Sequence, residues 1–205
     1  MYLFFLIKQD NEKELLNQTI IYLILCKKIM ANRQTIRTER NIFNALFRIM
    51  QLKNFNTIKV VEIVEEADVA RLTFYRHFSS KEDIILKKIK EIIKCINDEL
   101  NTRNNINLKE SLHIVINVFE KYISFFTLLI KNNLEGLVVQ SFKKDIYSII
   151  KKVFLINNTN KYLEKFYEGA FVYVIIEWLS NDDESGKVFF EKAYRLFSSI
   201  DVNYS

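Results

Sequence analysis

The chain has 205 residues and a formal net charge of +5, with 49% apolar and 27% charged residues, a globular rather than disordered balance. It holds no proline and only three glycines, too few turn formers for an all-β or α/β chain of this length, so an all-α fold is expected. Cys26 and Cys95 have no CxxC spacing and do not suit a disulfide-stapled secreted domain; with two histidines they form no metal constellation, and no phosphate loop or Ser/His/Asp grouping stands out, so neither an enzyme nor a cofactor is expected.

From the N-terminus, Met1 to Ile7 is an apolar run without a basic flank, and Ile20 to Cys26 is far too short to span a bilayer. No membrane association is expected. Residues 1–34 admit two readings. One is an additional helix with Leu15, Leu16, Ile20, Leu23 and Ile24 on one stripe. The other, preferred because the recognisable pattern begins just after it, is an extension upstream of a natural start at Met30.

Residues 36–53 place Ile42, Phe43, Leu46, Phe47 and Met50 at helical spacing, with arginines on the other faces. Asn54 to Asn56 is a turn, residues 58–66 a short second helix, and Ala67-Asp68 a second turn. A third helix is predicted over 69–77. Phe74 and Phe78, four apart, share one face, while Arg71, Leu72, Tyr75 and Arg76 fall on another. Such a helix packs on its own domain with one side and offers cationic, aromatic and methyl groups with the other, the layout suited to a DNA groove. Charge agrees: residues 31–81 hold nine Lys/Arg against five Asp/Glu, nearly all of the chain's excess, and a polyanionic partner suits that footprint.

Ser79-Ser80-Lys81-Glu82 reads as a capping box, with Ser79 capping a long helix to about Leu100 and Glu82 reaching back. After a polar break at 102–107, Asn107 opens a helix through Leu112, Ile116, Phe119, Ile123 and Phe126 to about Lys131, where Asn132-Asn133 ends it. Residues 134–156 read as one or two helices, 161–180 as a strongly apolar helix, 181–186 as an acidic loop and 188–198 as the last helix. Cys26 and Cys95 are expected to act as small apolar residues in a reducing compartment.

Ile63, Ala67, Val69, Thr73 to Phe78 and Ser80-Lys81-Glu82, at this spacing after an amphipathic first helix, resemble the DNA-binding domain of the TetR/AcrR family of transcriptional regulators. The likeness runs from about Arg37 to Ile93; beyond it only the helical layout is similar. The resemblance implies an all-α chain of about nine helices, with a three-helix helix-turn-helix head over 35–95 and a helical ligand-binding and dimerisation domain over 96–205. It implies a DNA-facing set of Lys59, Ala70, Arg71, Leu72, Thr73, Tyr75, Arg76, His77 and Lys81. In that set Arg71, Leu72, Thr73 and Tyr75 face the major groove, and Tyr75, His77 and Lys81 hold phosphates. The chemistry fits: arginine chelates a guanine edge, leucine meets a thymine methyl, and tyrosine and lysine donate to phosphate oxygens.

Three positions depart from the family's pattern. Asp68 stands where a turn glycine is usual, and aspartate tolerates left-handed backbone better than most residues. Leu72 stands where a small residue is common. Lys59 stands where a capping threonine is frequent, leaving Thr57 as a substitute cap or Lys59 itself near a phosphate.

By the same resemblance, His113, Phe119, Tyr122, Phe126, Phe142, Tyr147 and Phe171 are candidates to line an apolar effector pocket. Tyr173, Ile176, Trp178, Phe189, Tyr194 and Phe197 are candidates for a four-helix dimer interface. The expectation is a cytoplasmic homodimer that reads a palindrome-like operator in double-stranded DNA, as a repressor whose binding is tuned by a small apolar or aromatic molecule. The alternative is a helical DNA-binding interaction protein without small-molecule control.

Overall fold

A computed structural model describes residues 32–103, 106–154, 161–181 and 184–201. The two readings of residues 1–34 therefore lie almost wholly outside the described residues. Those residues form ten α-helices, one short 3-10 turn and no strand. The order is α1 (32–52), the 3-10 turn Phe55–Thr57, α2 (Val60–Glu66), α3 (Arg71–His77), α4 (Lys81–Asn101), α5 (Leu108–Lys121), α6 (Ile123–Lys131), α7 (Glu135–Asp145), α8 (Tyr147–Val153), α9 (Lys161–Ser180) and α10 (Gly186–Asp201).

The count exceeds the expected nine partly because the stretch 107–131 is two helices rather than one. Apolar periodicity continues unbroken through Tyr122, but that residue leaves helical geometry (φ −115, ψ 14) and the axis bends by 66°. The bend turns α6 toward α1, where Phe125 meets Phe43 edge-on at 5.5 Å. No single helix among the described residues is long and apolar enough to cross a membrane. The α5–α6 pair has the composition for it, yet its Leu112, Phe119, Phe126 and Leu129 are buried in the protein core.

Helix ends follow local chemistry. Asn107 and Glu110 form the expected reciprocal cap: the Glu110 N–H donates to Asn107 Oδ1 (2.9 Å) and the Asn107 N–H to Glu110 Oε2 (3.3 Å). At α4 the box sits one residue later than expected. Ser80 Oγ accepts from the Asp83 N–H (3.2 Å), and Asp83 Oδ2 accepts from the Ser79 N–H (2.9 Å). The shift follows from α4 starting at Lys81, which makes Asp83 rather than Glu82 the third helical residue.

At α2, Thr57 does not cap. Its hydroxyl donates to the Asn54 carbonyl (2.7 Å), closing the 3-10 turn, and Lys59 takes the cap position with its own N–H donated to Glu62 Oε2 (2.8 Å). That bond and the Lys53 ammonium, the larger influence, hold the Glu62 carboxyl below its ordinary range.

The body is one continuous core. α4 runs from the head into it and packs on α5, α7 and α8. The sequence boundary at 95/96 therefore falls inside a helix, with Ile92, Ile93, Ile96 and Leu100 buried on both sides of it. Cys95, half-buried on the same helix, has its thiol pushed up by burial and by the Glu99 carboxylate, so it stays protonated at neutral pH. In a Cys26→Ser background, iodoacetamide is expected to alkylate Cys95 more slowly in the folded protein than in urea. Equal rates would contradict this.

Candidate nucleic-acid interface

The head is α1, α2 and α3. Ile42, Leu46, Ile63, Phe74 and Phe78 bury their side chains between these helices and α4. Arg48 pairs with Glu66 (2.6 Å) and Lys53 with Glu62, tying the end of α1 to α2. α2 ends in a doubly bonded turn: the Val69 N–H donates to the Val64 carbonyl (3.0 Å) and the Asp68 N–H to Glu65 (3.2 Å). This places Asp68 in the left-handed region at φ 51, where the family's glycine would sit without strain. Asp68→Val is expected to lower stability by about 1–2 kcal/mol in urea unfolding, while Asp68→Gly costs nothing. A harmless valine would contradict this account of the turn.

That turn aims α3. Phe74 is fully buried on one side, while Leu72 is 74% and Tyr75 47% exposed on the other, with Arg71 and Arg76 also in solvent. The Arg71 guanidinium lies 5.6 Å from the centre of the Tyr75 ring, so the two side chains form one exposed cation–aromatic unit. Ala70 and Lys59 are exposed nearby in the chain and Thr73 is half-buried. Among the described residues, no group of three or more His, Cys, Asp or Glu is placed to hold a metal ion.

Two residues of the expected DNA-facing set are placed differently. The His77 ring turns inward, its side chain 12% exposed, with Nδ1 3.1 Å from Glu39 Oε1; that same oxygen also receives the Lys87 ammonium at 2.6 Å. The imidazole thus pins the end of α3 to Glu39 of α1, which Lys87 ties in turn to α4. Lys81 Nζ donates to the carbonyls of Phe55 (2.7 Å), Ile58 (2.9 Å) and Asn56 (3.3 Å), and lies 4.5 Å from the Phe55 ring centre. An ammonium has three N–H groups, and all three are used inside the head, which leaves none for a phosphate in this conformation. Lys81→Ala is accordingly expected to cost about 1.5–3 kcal/mol of stability, read by denaturant unfolding. The sequence carries no signal for either arrangement, since the partners lie 23 to 38 residues away.

The candidate pocket residues are not brought around one space. Phe119, Phe126 and Phe142 are fully buried and meet ring to ring, with centroids 5.3 to 6.2 Å apart. Phe171 joins a second cluster with Phe154 and Phe197. His113 is exposed against the edge of Phe190, Tyr122 lies half-buried at the α5–α6 bend, and Tyr147 reaches outward to Glu164 (3.1 Å).

Of the candidate dimer residues, Trp178, Phe189 and Phe197 lie in the subunit's own core. Trp178 stacks flat on Phe189 (4.5 Å, 4°) and donates its indole N–H to the Glu184 carbonyl (2.9 Å). Tyr173 is 64% exposed, and Ile176 and Tyr194 are half-buried.

A helix-turn-helix head, with a cationic and aromatic helix flank open to solvent and mounted on a helical body, defines a DNA-binding transcriptional regulator. Residues 42–87, within the head and the start of α4, match the family model described as bacterial regulatory proteins, tetR family. In fold it is similar to a TetR transcriptional regulator from Streptococcus agalactiae 2603V (18% identity, TM-score 0.58, covering 84% of this chain and 98% of that one). It is also similar to Lin0861 from Listeria innocua (17%, TM-score 0.65, covering 82% and 92%). A third likeness is to the dihydroxyacetone kinase operon activator DhaS (16%, TM-score 0.56, covering 80% and 97%). No curated protein sequence matches significantly.

Proposed function

We propose that the protein is a homodimeric repressor that reads a two-fold operator by laying α3 of each subunit in a major groove. The observation that carries this is the open Arg71–Leu72–Tyr75 flank of α3, backed by a buried Phe74 that fixes which side faces out. Arg71 and Leu72 address base edges, while Tyr75 and Arg76 address the backbone. Lys59, at the start of α2, adds a cation on the same head. In this reading residues 35–95 act as the DNA-binding unit and 96–205 as the regulatory and dimerising unit, working in the cytoplasm beside the chromosome. No reaction is assigned to either.

Dimerisation draws support from α9. Tyr162, Phe166, Gly169, Tyr173 and Ile176 follow a four-three-four-three spacing, and Tyr162, Phe166 and Tyr173 are exposed. This is a seam at coiled-coil spacing on the side of the helix opposite Phe171, Ile175 and Trp178. A second copy of the same helix pair would cover it as a two-fold interface.

Control by a small apolar molecule is part of the proposal, with a groove of about 310 Å³ lined by Val139, Ile146, Gly169, Val172 and Tyr173 and edged by the Lys165–Glu168 ion pair as a place for it. The ring-to-ring packing of Phe119, Phe126 and Phe142 favours the other reading, in which the body responds to no small molecule. Selection from a pool of random duplexes, followed by mobility-shift titration, tests the first claim. A palindromic winner bound by a dimer supports it, and retention of no sequence above background overturns it. Release of that winner by an apolar compound then separates the two readings.

A further inference from the structure

We infer that Asn132 is a positioning residue for operator recognition, which clamps the head to the body at a fixed angle and so sets the distance between the two recognition helices of a dimer. This inference rests on the DNA-binding reading above.

Asn132 closes α6, and its side chain is one of few polar ones buried in the structure, at 5% exposure. Two backbone bonds shape the chain around it: the Leu134 N–H donates to Leu129 (3.0 Å) and the Asn133 N–H to Ile130 (2.9 Å), with Asn133 at φ 58. The side-chain amide donates to the Leu128 carbonyl (3.0 Å), which leaves Oδ1 pointed away from α6. There it accepts the Phe55 N–H at 2.7 Å, across 77 residues of sequence. That N–H opens the 3-10 turn and has no acceptor within it, so the body supplies what the head's own backbone does not.

Phe55 is held at its other end too. Its carbonyl takes the Lys81 ammonium, and its ring lies beneath the same group. The residue is thus fixed between α6 on one side and α4 on the other, five residues before α2 begins. A second contact from α6 to the head is Phe125 on Phe43. Phe125 and Asn132 lie about 10 Å apart along the helix at 1.5 Å per residue. Two anchors at that separation fix rotation of the head as well as its position, whereas one anchor leaves a pivot. With Asn132 gone, the Phe125–Phe43 contact and the continuous α4 still join head to body and the fold persists, but the tie at the Phe55 turn is lost and the angle is held less tightly.

The consequence is specific to spacing. A single recognition helix in a single half-site does not depend on the angle of the head; two helices meeting two half-sites do. The test uses the full-length protein and the duplex it selects from a random pool, the same duplex with its half-sites moved apart by about two base pairs, and a single half-site. Wild type is expected to prefer the selected spacing by about tenfold or more, and Asn132→Ala to fall within about twofold while its half-site affinity is unchanged. Asn132→Leu, which fills the volume without the hydrogen bonds, should behave like the alanine variant. Asn132→Asp keeps an oxygen facing Phe55 but sets its other oxygen against the Leu128 carbonyl, so it should retain only part of the preference.

If Asn132→Ala and Asn132→Leu keep the preference, lose affinity for all three duplexes alike, or fail to fold, Asn132 is an ordinary structural residue and the inference falls. If wild type selects no duplex at all, the DNA-binding reading itself fails, which is a separate result.

Discussion

Arg71→Ala is expected to weaken binding to the selected operator by about 1–3 kcal/mol and to flatten preference at one base position in each half-site. The guanidinium is in solvent at the first residue of α3 and is steadied by the Tyr75 ring, so it presents a planar fork without a competing protein acceptor among the contacts described. Its loss removes a base contact and leaves the core under Phe74 untouched, so stability should not change. Tyr75→Ala is expected to act differently, lowering affinity across all sequences with little change in their ranking. Competition titrations with the four bases exchanged at each position separate the two outcomes. An Arg71→Ala variant that loses the same affinity for every duplex would show that Arg71 meets the backbone and not a base.

Trp178→Ala is expected to cost about 3–5 kcal/mol of stability in denaturant unfolding. The indole is 1% exposed, stacks on Phe189, and donates its N–H to the Glu184 carbonyl, so truncation opens a large void and orphans a backbone acceptor. The family resemblance makes this side chain a candidate for the subunit interface. If it sat there, the loss would appear as weaker dimerisation with a stable monomer; dilution-dependent sedimentation alongside the unfolding curve distinguishes the two.

The head was the more legible half of the molecule. The spacing of Phe74 and Phe78 against Arg71, Leu72 and Tyr75 defines a buried and an open face without any tertiary knowledge, because a helix repeats every 3.6 residues. Asp68 in a left-handed turn was legible for a different reason: it stands where the resemblance places a turn glycine, and short polar side chains are among the few that tolerate that backbone. Lys81 and His77 were not. Their partners, Phe55, Ile58 and Glu39, are brought near by packing, and a surface lysine and one that caps a turn look identical in sequence.

The body was legible as helices but not as surfaces. Apolar residues on α9 occur on more than one side, so periodicity does not say which face meets α10 and which meets a partner; Tyr173 and Trp178 were both expected at the interface, yet Trp178 lies in the core and Tyr173 is exposed. The bend at Tyr122 was invisible because no proline or glycine marks it. Asn132 and Asn133 together signal the end of a helix, and α6 ends at Lys131. That the first of them also reaches the head depends on a contact 77 residues away.

The central claim is that α3 enters the major groove by its Arg71–Tyr75 side. Dimethyl sulfate methylation of the selected duplex tests it most directly, since guanine N7 lies in the major groove and adenine N3 in the minor. Bound protein is expected to shield guanine N7 in both half-sites, with that shielding weakened at one guanine by Arg71→Ala. Shielding of adenine N3 alone, with every guanine N7 still open to methylation, would contradict it.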